Sequence, residues 1–187
     1  MKVKEIFKQF PQIEAEKLIL REVKEGDKKE IFNIFSDSEI MKYYDLIPFK
    51  SIEEAEHLIS KFNDDFAKEN GIRWGITKKD SDKIIGTCGF HSWSKESFKA
   101  QIGYELLKEY WRQGIMAESL KAIILFGFES LNLNRIEALV ELENVSSQKL
   151  LCNLGFQKEG VLRENEFCRG KFLDLIMFSL LKNDFTK

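Results

Sequence analysis

Cysteine, histidine and proline are all scarce in this 187-residue chain, at three, two and two copies. Cys88, Cys152 and Cys168 are odd in number, far apart and without a C-x-x-C pair, which argues against a disulfide framework or a zinc knuckle and for reduced thiols. His57 and His91 are well separated, so no histidine-based metal site is expected. No apolar run approaches the roughly 20 residues needed to span a bilayer. Met1 to Phe10 alternates charged with single apolar residues, so neither a membrane partner nor a secretory leader is expected, and the location implied is cytoplasmic. Charge of one sign is missing too: 29 Lys and Arg against 31 Asp and Glu give a net charge of -2 with no basic stripe, hence no reason to expect nucleic acid. With so few prolines, no repeat and no Gly/Ser linker, nothing marks a domain boundary, and one domain over residues 1–187 is expected.

What is present suits a folded globular chain, 43% hydrophobic and 32% charged. Leu18 to Val23 reads as an opening strand, followed by a helix capped by Asp27 with Ile31, Ile34 and Phe35 at helical spacing. Ser51-Ile-Glu-Glu54 is a capping box for a second helix, with Ala55, Leu58, Phe62 and Phe66 on its buried face. Strands follow at Ile72 to Thr77, Lys83 to Trp93 and Phe98 to Leu107. In the last of these, Ala100, Ile102, Tyr104 and Leu106 alternate with Gln101, Gly103 and Glu105. Helical period returns over Ile115 to Leu131, then come a strand at Arg135 to Glu141, a helix at Ser146 to Asn153, and strands at Phe156 to Val161 and Phe172 to Leu181. The layout predicts an α/β (α+β) fold with one strand-helix-strand crossover near its middle.

The chemistry points to residues 110–118, Tyr-Trp-Arg-Gln-Gly-Ile-Met-Ala-Glu, between the clearest strand and the clearest helix. A tight turn into a helix leaves unpaired N–H groups at the positive end of the macrodipole, which is an anion site. Gly114 allows close backbone approach and Arg112 adds charge. Neither a nucleotide P-loop nor a dinucleotide glycine fingerprint is present. These residues by themselves leave an ordinary connection open as an alternative.

Downstream stand Asn144-Val-Ser-Ser147, Leu150-Leu151 and Asn153-Leu-Gly-Phe156. Together with the turn, with Leu18-Ile-Leu-Arg21, Ile84-Ile-Gly-Thr87, Ile102-Gly-Tyr104, Gly170-Lys171 and Asp174, the order resembles the GNAT acetyltransferase superfamily over nearly the whole chain. Within it, the ribosomal-protein-alanine N-acetyltransferase group is the most similar. Trp111 and Met116 depart from the usual turn pattern, but backbone N–H groups make most of the phosphate contacts there.

The resemblance implies a mixed, mostly antiparallel sheet with a splayed strand pair, flanked by helices, and acetyl-coenzyme A as donor. It makes Arg112, Gln113, Gly114, Ile115, Met116 and Ala117 the pyrophosphate turn, and Leu106 and Asn144 partners of the pantetheine arm. Asn144 would equally serve as a helix N-cap. Ser147 matches a serine that protonates the departing thiolate, against the alternative of a first-turn serine satisfying a backbone N–H. Glu105 could take a proton from the attacking amine, directly or through water, or be a solvated strand carboxylate. His91 and Trp93 could wall the acceptor site, against the favoured alternative of packing under the neighbouring helices. The acceptor implied is a primary amine, foremost a protein or peptide N-terminus. Alternatives are a small-molecule acceptor (a polyamine, antibiotic or amino acid) and a coenzyme A-binding module without catalysis. Leu151 counts against the polyamine enzymes, which carry tyrosine there. Acceptor choice is expected to lie in the loop 43–49, the second helix and residues 163–171.

Overall fold

A computed structural model describes residues 3–44 and 46–185. Its elements are α1 (Val3–Ile6), β1 (Ile13–Glu14), β2 (Leu18–Glu22), α2 (Lys28–Ser36), α3 (Ile52–Ala67), β3 (Ile72–Lys78) and β4 (Gly86–Ser94). They continue with β5 (Lys99–Leu106), α4 (Ile115–Glu129), β6 (Arg135–Glu141), α5 (Val145–Asn153), β7 (Gln157–Cys168) and β8 (Lys171–Leu181). All eight strands form one sheet in the order β1-β2-β3-β4-β5-β6-β8-β7. Every pairing is antiparallel except β5 with β6, the two strands joined through α4. A parallel neighbour needs such a crossover, and this is the one the sequence predicted.

Period-two alternation sends Ala100, Ile102 and Leu106 of β5 to one face, where they join Leu120, Ile123, Ile124 and Phe128 of α4 in the larger buried cluster. The other face carries a second cluster, in which Ile31, Ile34 and Phe35 of α2 meet Ala55, Leu58 and Ile59 of α3 over Val23 and Ile84. Phe62, expected in that buried face, is only partly buried against it. The capping box forms, with the Ser51 N–H donating to Glu54 Oε2 at 2.9 Å. Asp27 does not cap α2 with its side chain. Its carboxylate accepts instead from both Arg21 Nη atoms at 2.8 Å and from the Lys24 N–H at 2.7 Å, because a bidentate charged partner outcompetes a backbone amide.

Two strand boundaries differ from the sequence reading by several residues. β4 opens at Gly86 rather than Lys83, although Ile85 keeps a bond to Ile76 O at 2.9 Å. β7 runs on to Cys168, past the expected end at Val161. Two register shifts against β8, between Lys158 and Gly160 and between Leu162 and Glu166, break the alternation by which a strand is recognised. The hairpin closes through Arg169 and Gly170, both at positive φ. The short α1 and β1 were not anticipated at all.

Candidate active site

β5 and β6 pair only at Lys99 with Arg135, Ala100 with Ile136 and Gln101 with Glu137. Beyond Gln101 and Glu137 the strands part, β5 staying with β4 and β6 with β8. The Leu107 N–H donates to Ile85 O at 2.9 Å on the β4 side. Backbone groups alternate sides along a strand, so those of Leu106, Tyr104 and Ile102 face the opening. Trp111 bears this out by donating Nε1–H to Leu106 O at 2.7 Å. Of the Leu106 backbone groups expected to meet the pantetheine arm, the carbonyl therefore already holds a partner and the N–H does not share it.

A cavity of about 790 Å³ occupies the opening. Tyr104 and Val140 mark its two lips, Asn144 and Ser147 border it at the start of α5, and Arg73, His91 and Phe62 border it beside α3. Residues 102 and 104 share their face with the α4 cluster, whereas Arg73, His91 and Gly103 project from the opposite one. The cavity is thus lined by residues of both sheet faces where the two strands part.

The turn before α4 forms as predicted. Gly114 takes φ +77° at the N-cap position with open space where a Cβ would stand. No side chain caps the first turn of this 15-residue helix. Ile115 and Met116 are buried in the larger cluster, so their side chains anchor the turn while their N–H groups lie at its outer end. Ala117 is half-buried, and Arg112 is exposed at φ +60°. Gln113 spends its side chain on Glu109 O at 2.6 Å. The turn does not border the cavity but lies beyond Leu106.

At the start of α5, Asn144 Oδ1 accepts from the Ser147 N–H at 3.1 Å and from Ser146 Oγ at 3.0 Å. The capping reading is therefore realised, and the amide Nδ2 remains for a ligand. Ser147 does not spend its hydroxyl on the helix: Oγ is 2.6 Å from the Tyr104 hydroxyl. Burial pushes the Tyr104 phenol up to about 12, outweighing the bond from Ser147, so the ring stays protonated at neutral pH.

Glu105 is neither solvated nor part of the cavity wall, which corrects the reading of a polar strand face. Its Oε2 is bound by Arg73 Nη2 and by Thr87 Oγ1 at 2.6 Å, and Thr87 in turn accepts from Arg73 Nε at 3.0 Å. Glu105 Oε1 is buried without a partner among the described residues. Its partner Arg73, unlike Glu105, does border the cavity. Burial opposes the Arg73 charge, but the adjacent carboxylate raises its pKa and holds it ionised.

The three segments expected around the acceptor do border the cavity, through Tyr43, Tyr44 and Leu46, through Lys61, Phe62 and Asp65 of α3, and through Glu166 and Cys168. Asp45, within the expected loop, lies outside the described residues. His91 and Trp93 line it as well. Sequence reasoning missed Tyr104, Arg73 and Thr87. The one signal for Arg73 was a charge set between Ile72 and Trp74 in a strand that is otherwise buried. No helix among the described residues is long and apolar enough to cross a membrane.

A parallel pair that parts beside a cavity, with an uncapped glycine turn on one side and a hydroxyl pair at its lip, offers an anion site and a proton donor to one extended ligand. A family model described as an acetyltransferase (GNAT) domain matches residues 17–157. This chain belongs to the GNAT acetyltransferase superfamily. Over 92% of its length it is 40% identical to the uncharacterized N-acetyltransferase YoaA of Bacillus subtilis, covering 98% of that protein. A ribosomal-protein-S5-alanine acetyltransferase from Vibrio fischeri superposes with a TM-score of 0.78 at 26% identity, over 95% of this chain and all of the other. The spermidine N-acetyltransferase of Vibrio cholerae, solved with coenzyme A and spermine, gives 0.79 at 24% identity, over 90% and 97%. The chain is thus an N-acetyltransferase of the GNAT type, with acetyl-coenzyme A as its donor.

Proposed function

We propose that this chain, acting as one domain in the cytoplasm, moves the acetyl group to the α-amine of a protein or peptide N-terminus by direct transfer. The observation that carries the reading is the cavity lined from both sheet faces, which lets a thioester at Ser147 and Tyr104 meet an amine arriving past α3 and the β7–β8 hairpin. In this reading the N–H groups of Gly114 to Ala117 hold the pyrophosphate, with charge from Arg112 and the adjoining Gln113 backbone. Asn144 Nδ2 and the Leu106 backbone N–H hold the pantetheine arm, which pairs with the opened strand as an added strand would.

The amine nitrogen forms its bond to the thioester carbonyl carbon as the carbon–sulfur bond breaks. A β5 N–H stabilises the charge growing on the carbonyl oxygen. Ser147 Oγ gives its proton to the leaving sulfur and takes one from the Tyr104 hydroxyl, which is reprotonated by solvent in the cavity, while the ammonium formed loses a proton to water. Glu105 enters through Arg73 and not as a direct base, since Arg73 and Thr87 hold one oxygen and the other is sealed from the cavity. An α-amine, with a reference pKa of about 7.7 to 8.0 against about 10.4 for lysine, tolerates this lack of a direct carboxylate base.

A polyamine acceptor is the second reading, favoured by Asp65 and Glu166 on the cavity wall and opposed by the Arg73 guanidinium. A thiol-release assay with acetyl-coenzyme A against N-terminal peptides, spermidine and amino acids separates them. Peptides turning over fastest supports the proposal, and spermidine outrunning every peptide reverses it. The absence of turnover with any amine would leave a coenzyme A-binding module.

A further inference from the structure

Arg73, Gly89 and Gly103 stand in one row across β3, β4 and β5, each directly opposite the next. Thr87 and Glu105 face each other one step further along the same face. The arginine side chain lies across the two glycines, neither of which offers a side chain to stop it. Its Nη1 comes within 3.1 Å of the point where a Cβ on residue 103 would be. Nε is taken by Thr87 and Nη2 by Glu105. Phe62 lies under the guanidinium, with the ring centroid 5.6 Å from Cζ. Those contacts fix a planar fork at a buried position and leave Nη1, engaged by neither Thr87 nor Glu105, over the residue where the strands begin to part.

We infer that Arg73 recognises a carbonyl or carboxylate oxygen next to the acceptor amine, so that the site selects an aminoacyl unit over a bare amine. The inference rests on the proposed transfer across the splay and narrows its substrate class. Arg73 borders the cavity, and a guanidinium N–H binds an oxygen acceptor but offers nothing to an ammonium. An aminoacyl group places its carbonyl two bonds from the nitrogen, which suits a donor beside the splay. Buried directional donors discriminate strongly, because an acceptor lacking the oxygen leaves a desolvated N–H unpaired. Glu105 and Thr87 are then positioning residues, holding the fork in one orientation.

The test compares two acceptors of similar shape, alaninamide and isopropylamine, in the full chain with acetyl-coenzyme A. Free alanine and an alanine-headed tripeptide form the arms that separate a carboxylate source from a peptide carbonyl. Each acceptor serves as its own reference between the unaltered protein and Arg73→Gln, so differences in amine basicity cancel. The expected result is a loss of about tenfold to a hundredfold in kcat/KM for alaninamide, mainly in KM, with isopropylamine changed less than about threefold. Equal losses on both acceptors overturn the inference, as does an unchanged alaninamide value. If isopropylamine is too slow to measure, binding of N-acetylalaninamide to the coenzyme A-loaded protein decides. A tenfold or greater loss supports recognition by Arg73, and unchanged affinity overturns it. If Arg73→Gln does not fold, Arg73→Gln/Glu105→Gln, which leaves no unpaired buried charge, takes its place with the same expected split. Alanine outrunning every peptide would uphold Arg73 and overturn the N-terminal reading. Peptides still the best acceptors, but with equal losses, would do the reverse.

Discussion

β5 and β6 have two ends built on opposite principles. At the paired end, three parallel rungs carry partly exposed cations around the buried Glu137: Arg135 reaches Glu137 at 2.7 Å and the exposed Glu159 at 2.6 Å, and Lys99 reaches Glu137 at 3.2 Å. At the splayed end the rungs are gone, and the charges beside the opening, Arg73 and Glu105, are buried at 9% and 2% side-chain exposure. Where backbone hydrogen bonds hold two strands together, a solvent-facing pair such as Arg135 with Glu159 adds little. Where the bonds are withdrawn, side chains must define the cavity wall, and a buried charge there is held only by its partner.

The largest effect is expected at the donor side of the splayed end. Gly114→Asp places a carboxylate beside the pyrophosphate position in a turn with room for it but at a left-handed φ. We expect acetyl-coenzyme A affinity to fall about a thousandfold in a folded protein, measured by titration calorimetry, since like charges a few ångströms apart repel by several kcal/mol. Near-normal affinity would remove the pyrophosphate from this turn.

Glu105→Ala should lower stability by about 3 kcal/mol in urea denaturation, because it strands the Arg73 guanidinium in a buried position. A loss under about 1 kcal/mol would show that water in the cavity screens Arg73 and that this end is as forgiving as the other. Ser147→Ala should reduce kcat about a hundredfold with coenzyme A affinity intact, and Tyr104→Phe should act on the same step. Only a fall in melting temperature, without a kinetic change, would return Ser147 to a purely helical role.

The smallest effect belongs to the paired end. Hydrogen bonds from Arg135 and Ser179 lower the Glu159 carboxyl to about 2, below its ordinary value. A depressed carboxylate stabilises the fold above its unfolded pKa, about 4.3, and that stability is lost as pH falls towards 2. The side chain is 42% exposed, so solvent screening holds the contribution to about 1 kcal/mol or less. Glu159→Gln should therefore leave stability at pH 7 within about 1 kcal/mol and flatten its decline between pH 5 and 2. A larger change at neutral pH would erase the contrast between the ends.

The sequence by itself determined what depends on neighbours along the chain. Gly114 before an amphipathic run predicts an uncapped helix turn, Asn144 three residues before Ser147 predicts an N-cap, and the crossover from β5 through α4 to β6 predicts a parallel pair. These are local because helix caps, turns and strand period are set within a few residues. Only the tertiary structure decided which side chains face one another across the sheet. It buried Glu105 against Arg73, joined Ser147 to Tyr104 over 43 positions, and gave the Leu106 carbonyl to Trp111. The β7 extension stayed hidden because two register shifts remove the alternation that announces a strand. The physical reason is common to all of these. Burial and pairing depend on register between strands distant in sequence, and a one-residue change of register exchanges the wall of the cavity for the opposite face of the sheet.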